Sequence, residues 1–388
     1  MSETRHLQIE ALLETALAEA GAEQFRDSVF KGVLVRYVDA LNHEAVLNVA
    51  GHDFHHGRLL GILKTRLGLE QWLAQYPEIL EETIEAPIVV VGLPRTGTTL
   101  LHRTLATDSQ LLAPLWYEVR YPIPLDANFA LKDGRIAMAE AEVDAMLAAA
   151  PELAAIHPMD AVAPDEEIML LEQSFMSTVA ECYAHIPQFG YWLYVQDQQP
   201  GYDYLKRLLQ FLQWQKRRAG LTGSRWLLKT PHHLHYPEHL LRTFPGAQVI
   251  QCHRHPLAVI PSYASMMYSL TAPFTDHCDK HAIAQHWSDK WHAGLNTTMA
   301  YRSQHPEIPY LDLQFDDSVS DPEGTVKTVY DFVGAELTPT ALAEMTRWRE
   351  FNRREQRPEH HYSLDEYGFT EAAISEQFAD YIDCHIRT

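Results

Sequence analysis

Ala86-Pro87-Ile88-Val89-Val90-Val91-Gly92-Leu93-Pro94-Arg95-Thr96-Gly97-Thr98-Thr99-Leu100-Leu101 is the stretch from which the rest of the chain is read. Ile88 to Val91 is a short apolar run that reads as a buried strand. A Gly/Pro-rich turn follows, and helical spacing resumes from about Thr98 to Leu105. Strand, glycine turn and helix start make an anion cradle, because successive backbone N–H groups and the helix dipole point at one spot. Gly92 and Gly97 keep the spacing of the nucleotide-binding P-loop, G-x-x-x-x-G-K-[ST]. Thr98 stands where that motif needs Lys, and the cation sits three residues earlier, at Arg95. Without the Lys, the loop loses the charge that reaches the β- and γ-phosphates of ATP or GTP. The cradle is expected to hold phosphate, but not a nucleoside triphosphate.

Pro94 to Thr99, reading Pro-Arg-Thr-Gly-Thr-Thr, resembles the 5′-phosphosulfate loop of the sulfotransferases. These enzymes use 3′-phosphoadenosine 5′-phosphosulfate (PAPS) as donor. Cytosolic members carry Lys where Arg95 stands; bacterial and tyrosylprotein members often carry Arg. The resemblance implies that the backbone of Pro94, Arg95, Thr96 and Gly97, with the hydroxyls of Thr98 and Thr99, holds the 5′-phosphate. Arg95 is then a fixed donor beside the transferring group.

Three other constellations are read beside the cradle. Arg254 and Ser262 lie eight residues apart across a His-Pro pair and a helix start. A charge at a strand end and a hydroxyl two turns into the next helix can converge on one anion. Their spacing matches the family's 3′-phosphate pair. Lys229, in Leu-Leu-Lys-Thr-Pro, sits at the carboxyl end of a strand, where ligands gather in open α/β sheets. By resemblance it steadies the oxygen that bridges sulfate and phosphate. Glu118 and Arg120 repeat a Glu-x-Arg that follows the cradle helix in tyrosylprotein and some bacterial sulfotransferases, where the Glu is a general base. An alcohol must lose its proton as its oxygen attacks sulfur, so a carboxylate or imidazole within reach is required. Glu118 is one candidate; His232 and His233 are the others, because Pro231 occupies the place of the catalytic His of cytosolic members.

Two weaker resemblances complete the set. Phe315, after Asp312 to Gln314, matches the aromatic that the family presents to adenine. The basic run of Arg353, Arg354, Arg357, His360 and His361 resembles a C-terminal loop that closes over the 3′-phosphate, with Arg357 and His361 as the expected contacts; a solvated charge run reads the same way. His361 to Asp365 spells the His-Tyr-Ser-Leu-[Asp/Glu] of the bacterial branch.

Composition bounds the alternatives. The chain has 388 residues, 46% hydrophobic and 21% charged, a globular composition with ample core. Its formal charge of −21 disfavours nucleic acid and anionic membrane surfaces, which reward excess Lys and Arg. No apolar run approaches a membrane span, and the N-terminus is too charged for a signal peptide, so a cytoplasmic location without membrane insertion is expected. Cys182, Cys252, Cys278 and Cys384 lack C-x-x-C pairing, which suits a reducing compartment.

Residues 1–85 read as a helical N-terminal cap or oligomer surface, compatible with a homodimer. His52, His55 and His56 within it are expected to form a polar turn rather than a metal site. Residues 86–388 read as the sulfotransferase domain, with a core over 86–335 and a helical, basic C-terminal segment over 336–388. Strands are expected at 88–91, 225–229, 247–252 and 308–315, alternating with helices that include 132–150, 165–182 and 204–218. That alternation argues for an α/β fold of P-loop NTPase-like type, a parallel sheet covered by helices on both faces.

The expected activity is PAPS-dependent sulfuryl transfer to a small hydroxyl acceptor, with no metal required. Trp116, Tyr117, Arg120 and Tyr191 border the expected acceptor pocket, with Tyr121, Phe175, Tyr183, Phe189 and Trp192 nearby. These aromatics suggest an apolar alcohol or phenol, although they read equally well as core, and sugars stack on aromatics too. The rival readings are an atypical P-loop kinase or NTPase and a non-catalytic nucleotide-binding protein of the same fold.

Overall fold

The computed structural model describes residues 6–129, 133–149, 159–352 and 362–387. Three helices lead the chain, α1 (Ile9–Ala20), α2 (Phe30–His43) and α3 (Val49–Gln75). Then come β1 (Ile88–Gly92), α4 (Thr98–Leu105), β2 (Leu111–Leu112), α5 (Trp116–Arg120), α6 (Gly134–Ala149), α7 (Ile168–Glu172), α8 (Pro187–Tyr194) and α9 (Gln199–Arg218). The second half holds β3 (Arg225–Lys229), α10 (Pro237–Thr243), β4 (Gln248–His253), α11 (Pro256–Thr271), α12 (Lys280–Gln304) and β5 (Tyr310–Gln314). It closes with α13 (Phe315–Ser320), α14 (Pro322–Val333), α15 (Pro339–Phe351), α16 (Glu371–Gln377) and α17 (Ala379–His385).

The strands form one sheet in the order β2-β3-β1-β4-β5, and every pairing is parallel. Val89 lies opposite Leu228 on one side and Val249 on the other. Because side chains alternate along a strand, the sheet feeds two apolar layers. Val89, Val91, Leu228 and Val249 join the layer built with α9, α11 and α12, whereas Ile88, Val90, Leu227 and Ile250 join that of α4, α14 and α15. The stripe Leu205, Leu208, Leu209 and Leu212 is fully buried against the first layer. Each of those side chains is worth about 1.5–3 kcal/mol of burial, which is what holds α9 on the sheet.

Two expectations change here. β2 is a fifth strand beyond the four expected; two residues carry no periodicity, and only pairing to Arg225 and Trp226 makes them a strand. Residues 165–182 do not form one helix. α7 ends early, Phe175 adopts a left-handed φ of 64°, and a separate short turn of helix covers Thr178–Glu181. Ser174 and Ser177 explain the break. The Ser174 hydroxyl donates to Leu171 O and accepts from the Met176 N–H, while Ser177 accepts from the Val179 N–H. Such side chains offer the backbone an alternative to the helix ladder.

The leading helices pack through Leu34, Leu41, Leu59 and Leu63 against Phe175, Phe189 and Leu193. His52, His55 and His56 lie within α3, not in a turn; His55 is fully buried, with Nε2 3.4 Å from Tyr183 O. A buried ion pair of Arg58 with Glu172 ties α3 to α7.

The topology places the site. β1 is central, and the chain turns to opposite sides of it to reach β3 and β4. Ligands bind at such switch points, beyond the carboxyl ends of the strands. Pro94 to Gly97 follow β1, Lys229 ends β3, Arg254 follows β4 and Phe315 follows β5.

Candidate active site

The cradle is tightly folded. Gly92 has φ 147°, and a Cβ there would lie 2.5 Å from Cys252 O. Arg95 and Gly97 are both left-handed, with φ 69° and 85°. The Thr96 hydroxyl donates to Leu93 O at 2.7 Å and pins the curl. A Cβ on Gly97 would meet Phe315 Cδ2 at 3.0 Å, so glycine is what lets the aromatic lie against the loop. Left-handed backbone at a non-glycine residue costs about 1–3 kcal/mol and concentrates at ligand sites.

The expected phosphate groups converge. Arg95 Nε donates to Ser262 Oγ at 3.2 Å, and Arg254 Nη1 donates to Arg95 O at 3.0 Å. The Arg254 guanidinium stands 4.1 Å over the Phe315 ring. Lys229 reaches the same loop, its Nζ 3.3 Å from Thr99 Oγ1. The cation that the P-loop motif carries on its own helix is thus brought in from β3.

Lys229 also leads to a feature the sequence reading passed over. Its Nζ donates to Glu166 Oε1 at 2.5 Å, and its backbone N–H donates to Glu167 Oε2 at 2.7 Å. Glu167 holds His233 Nε2 at 2.9 Å, and His233 Nδ1 is 2.7 Å from the Tyr202 hydroxyl. That chain is wholly buried. Glu166 retains 19% side-chain exposure and lines the cavity. Burial pushes its carboxyl up from the ordinary carboxylate value, with the Lys229 ammonium pulling the other way. The signal available was the acidic run Asp165-Glu166-Glu167 immediately before an apolar helix.

Glu118 needs correction. Its carboxylate receives Lys216 Nζ at 2.6 Å on both oxygens, plus the Leu115 N–H at 2.8 Å. Both side chains are 5% exposed, and neither borders the cavity. Glu118 caps α5; it does not offer a base. Arg120 pairs with Glu142 rather than Glu118. Trp116 packs with Ala139 and Val143 of α6, and the Tyr117 hydroxyl leans on Glu118. Tyr191 is 58% exposed, edge-on to His286. None of these four lines the cavity, and Phe175, Phe189 and Trp192 are core of the N-terminal helices. His232 is buried, with Nδ1 3.4 Å from Thr178 Oγ1, and burial holds its imidazolium far from favourable. His232 and His233 both stand behind the cavity wall. Arg353, Arg354, Arg357, His360 and His361 lie outside the described residues.

One cavity of about 1040 Å³ joins these parts. It is lined by Pro94, Thr98, Thr99, Arg254 and Phe315 and by an apolar wall of Ile168, Met169, Tyr183, Met266, Met267 and Trp291. The Met pair belongs to α11, the helix that also carries Ser262. Among the described residues, one trio could hold a metal ion, His253, Asp312 and His385. There Asp312 already takes Arg302 at 2.7 Å and His253 Nε2 at 2.8 Å.

Fold and site define a P-loop-like α/β protein whose tightly curled loop after β1 lacks the lysine of the NTPases. The family profile that matches residues 87–339 is that of the sulfotransferases, and the chain belongs to the sulfotransferase family. Two relatives are the omega-hydroxy-beta-dihydromenaquinone-9 sulfotransferase Stf3 of Mycobacterium bovis and that of Mycobacterium tuberculosis. Each is 26% identical over 305 residues, covering 72% of this chain and 73% of the relative. The crystal structure of sulfotransferase STF1 from Mycobacterium tuberculosis superposes with a TM-score of 0.85 at 30% identity, covering 97% of this chain and 100% of that one. Sulfotransferase STF9 from Mycobacterium avium shares the fold, with a TM-score of 0.86 at 23% identity over 99% of this chain and 97% of its own. The chain is a sulfotransferase. No described helix is long and apolar enough to cross a membrane.

Proposed function

We propose that the protein transfers the sulfuryl group of PAPS to the hydroxyl of a small apolar alcohol or phenol by in-line displacement. The observation that carries this reading is a single cavity lined both by phosphate-type donors, Arg95, Thr98, Thr99 and Arg254, and by Met, Tyr and Trp side chains. The residues present fit the donor. The left-handed Gly97 lets Phe315 lie directly against the loop, and Arg95, Arg254 and Ser262 form one hydrogen-bonded group beside it.

In this scheme the cradle and Thr98 and Thr99 hold the 5′-phosphate, and Arg254 with Ser262 takes the 3′-phosphate. Phe315 sits where an adenine would stack. Lys229 and Arg95 neutralise the charge that collects on the departing 5′-phosphate. Positioning of donor and acceptor in one cavity supplies the rest. The apolar wall favours a hydrocarbon-rich acceptor, in keeping with the menaquinone derivative in the name of the Stf3 relatives.

Calorimetric titration with 3′,5′-adenosine bisphosphate, the spent donor, against ATP tests the donor assignment. Micromolar binding of the bisphosphate is expected, weakened at least tenfold by Arg254→Ala and unmatched by ATP. Binding of Mg-ATP with none of the bisphosphate would refute the proposal and turn the cradle over to nucleotide hydrolysis or phosphoryl transfer.

A further inference from the structure

We infer that Glu166 is the group that takes the acceptor's proton, and that it waits in an ion pair with Lys229 until the donor arrives. The inference rests on the donor reading above. It replaces Glu118, which the fold has committed elsewhere.

Position comes first. Glu166 borders the cavity where the cradle meets the apolar wall: Lys229 Nζ spans Glu166 Oε1 and Thr99 Oγ1, and Ile168 and Met169 open the wall immediately after it. A hydroxyl carried by an apolar acceptor therefore meets this carboxylate at the boundary between hydrocarbon and phosphate sites. Among the described residues, the other carboxylates along the cavity are placed differently. Asp165 lies 3.7 Å from Arg103 and accepts the Glu166 N–H. Asp321 caps α14, Glu323 pairs with Lys327, and Glu350 is exposed on α15.

The pairing gives the base a trigger. Lys229 is shared between Glu166 and the cradle, and its backbone is fixed by Glu167. A phosphate in the cradle competes for the ammonium. Once Lys229 turns to it, Glu166 remains in a mostly buried position with its counter-ion withdrawn, flanked by Asp165 and Glu167. Both like charge and burial favour the protonated carboxyl there. Its appetite for a proton rises when the acceptor is to be activated.

The step balances. The acceptor O–H bond breaks and its proton passes to a Glu166 oxygen. The acceptor oxygen's electron pair forms the new O–S bond as the S–O bond to the 5′-phosphate breaks. That bond's electrons remain on the phosphate of the bisphosphate product, where Lys229 meets them. No oxidant or reductant takes part, and Glu166 returns its proton to water.

Two measurements test this. The first needs no acceptor: bisphosphate binding is followed by calorimetry in ACES and in Bis-Tris, buffers of different ionisation heat, which reports protons taken up. Wild-type protein is expected to take up more proton than Glu166→Gln at the same pH, with both binding the bisphosphate. The second follows labelled sulfate from PAPS onto geraniol and 2-naphthol. Glu166→Gln is expected to lose at least 100-fold in kcat, the usual scale for a lost general base, with the donor KM little changed. Glu166→Asp is expected to recover part of kcat and to move the acid limb of the kcat/KM profile. Equal proton uptake in wild type and Glu166→Gln, or full kcat in Glu166→Gln, would overturn the assignment while leaving the donor reading intact. Wild-type protein that fails to bind the bisphosphate would overturn both.

Discussion

Removing the charge of Glu118 should damage stability and not chemistry. The carboxylate and the Lys216 ammonium are 2.6 Å apart with side chains 5% exposed, so each neutralises a charge that water cannot reach. Deleting one partner of such a pair leaves the other buried and unpaired, at a cost of about 3–5 kcal/mol. Glu118→Gln keeps an oxygen for the Leu115 N–H but strands Lys216. Unfolding entropy of about 2.1 cal/mol/K per residue over the chain makes that cost a fall of roughly 4–6 °C in melting temperature. The double variant Glu118→Gln/Lys216→Met removes both charges and is expected to regain most of the loss. Scanning calorimetry of the single and double variants, with sulfotransfer measured per folded molecule at a temperature well below either transition, separates the two roles. A Glu118→Gln protein as stable as wild type, binding bisphosphate normally yet slowed 100-fold, would refute the reasoning and restore Glu118 as the base.

Other outcomes follow from single contacts. Gly97→Ala places a Cβ 3.0 Å from Phe315 Cδ2 on a backbone with φ 85°; bisphosphate affinity should fall at least tenfold by calorimetry, with thermal stability little changed. His55 is fully buried, and burial lowers its pKa from 6.5 to about 3. Its folded-state value is depressed, so the unfolded chain takes the proton first. The stability it supports is complete above about pH 6.5 and is lost as pH falls toward about 3. In urea unfolding, His55→Gln should therefore lose about 2 kcal/mol less than wild type between pH 7 and pH 5.

What the sequence made legible is local. Ile88 to Leu105 spell strand, turn and helix in consecutive letters, and Gly92 and Gly97 sit where the loop needs left-handed or crowded backbone. The strand ends then bring Lys229, Arg254 and Phe315 to one edge of the sheet, because parallel strands share a direction. What misled was equally local. Glu118-x-Arg120 matches a family spelling, but the identity of the partner decides the role, and Lys216 arrives on α9 from 98 residues away. The same distance effect hid Glu166, whose meaning depends on Lys229, 63 residues on. The aromatics at 189–192 look like a pocket from composition alone; the leading helices cover Phe189 and Trp192, a contact no spacing announces. The wall that does border the cavity includes Met266 and Met267, which read as ordinary apolar positions of a helix.

Two Lys–Glu pairs with short contacts therefore do opposite things, and access is what separates them. Lys216 and Glu118 are closed in on both sides, by α5 and by the Trp226 ring 5.9 Å from Nζ; nothing can exchange with either charge without local unfolding. Lys229 is as deeply buried, but Glu166 is not, and the Thr99 hydroxyl holds a third corner of the pair at the mouth of the cradle. A phosphate entering there can replace the carboxylate as the partner of the ammonium at little rearrangement, since Lys229 already reaches both. The cost of separating the ions is offset by the new pair, and the low-dielectric surroundings that make an isolated carboxylate unfavourable make it a stronger base. A sealed pair stabilises the fold; an open pair beside an anion cradle can be divided by the ligand and put to chemical use.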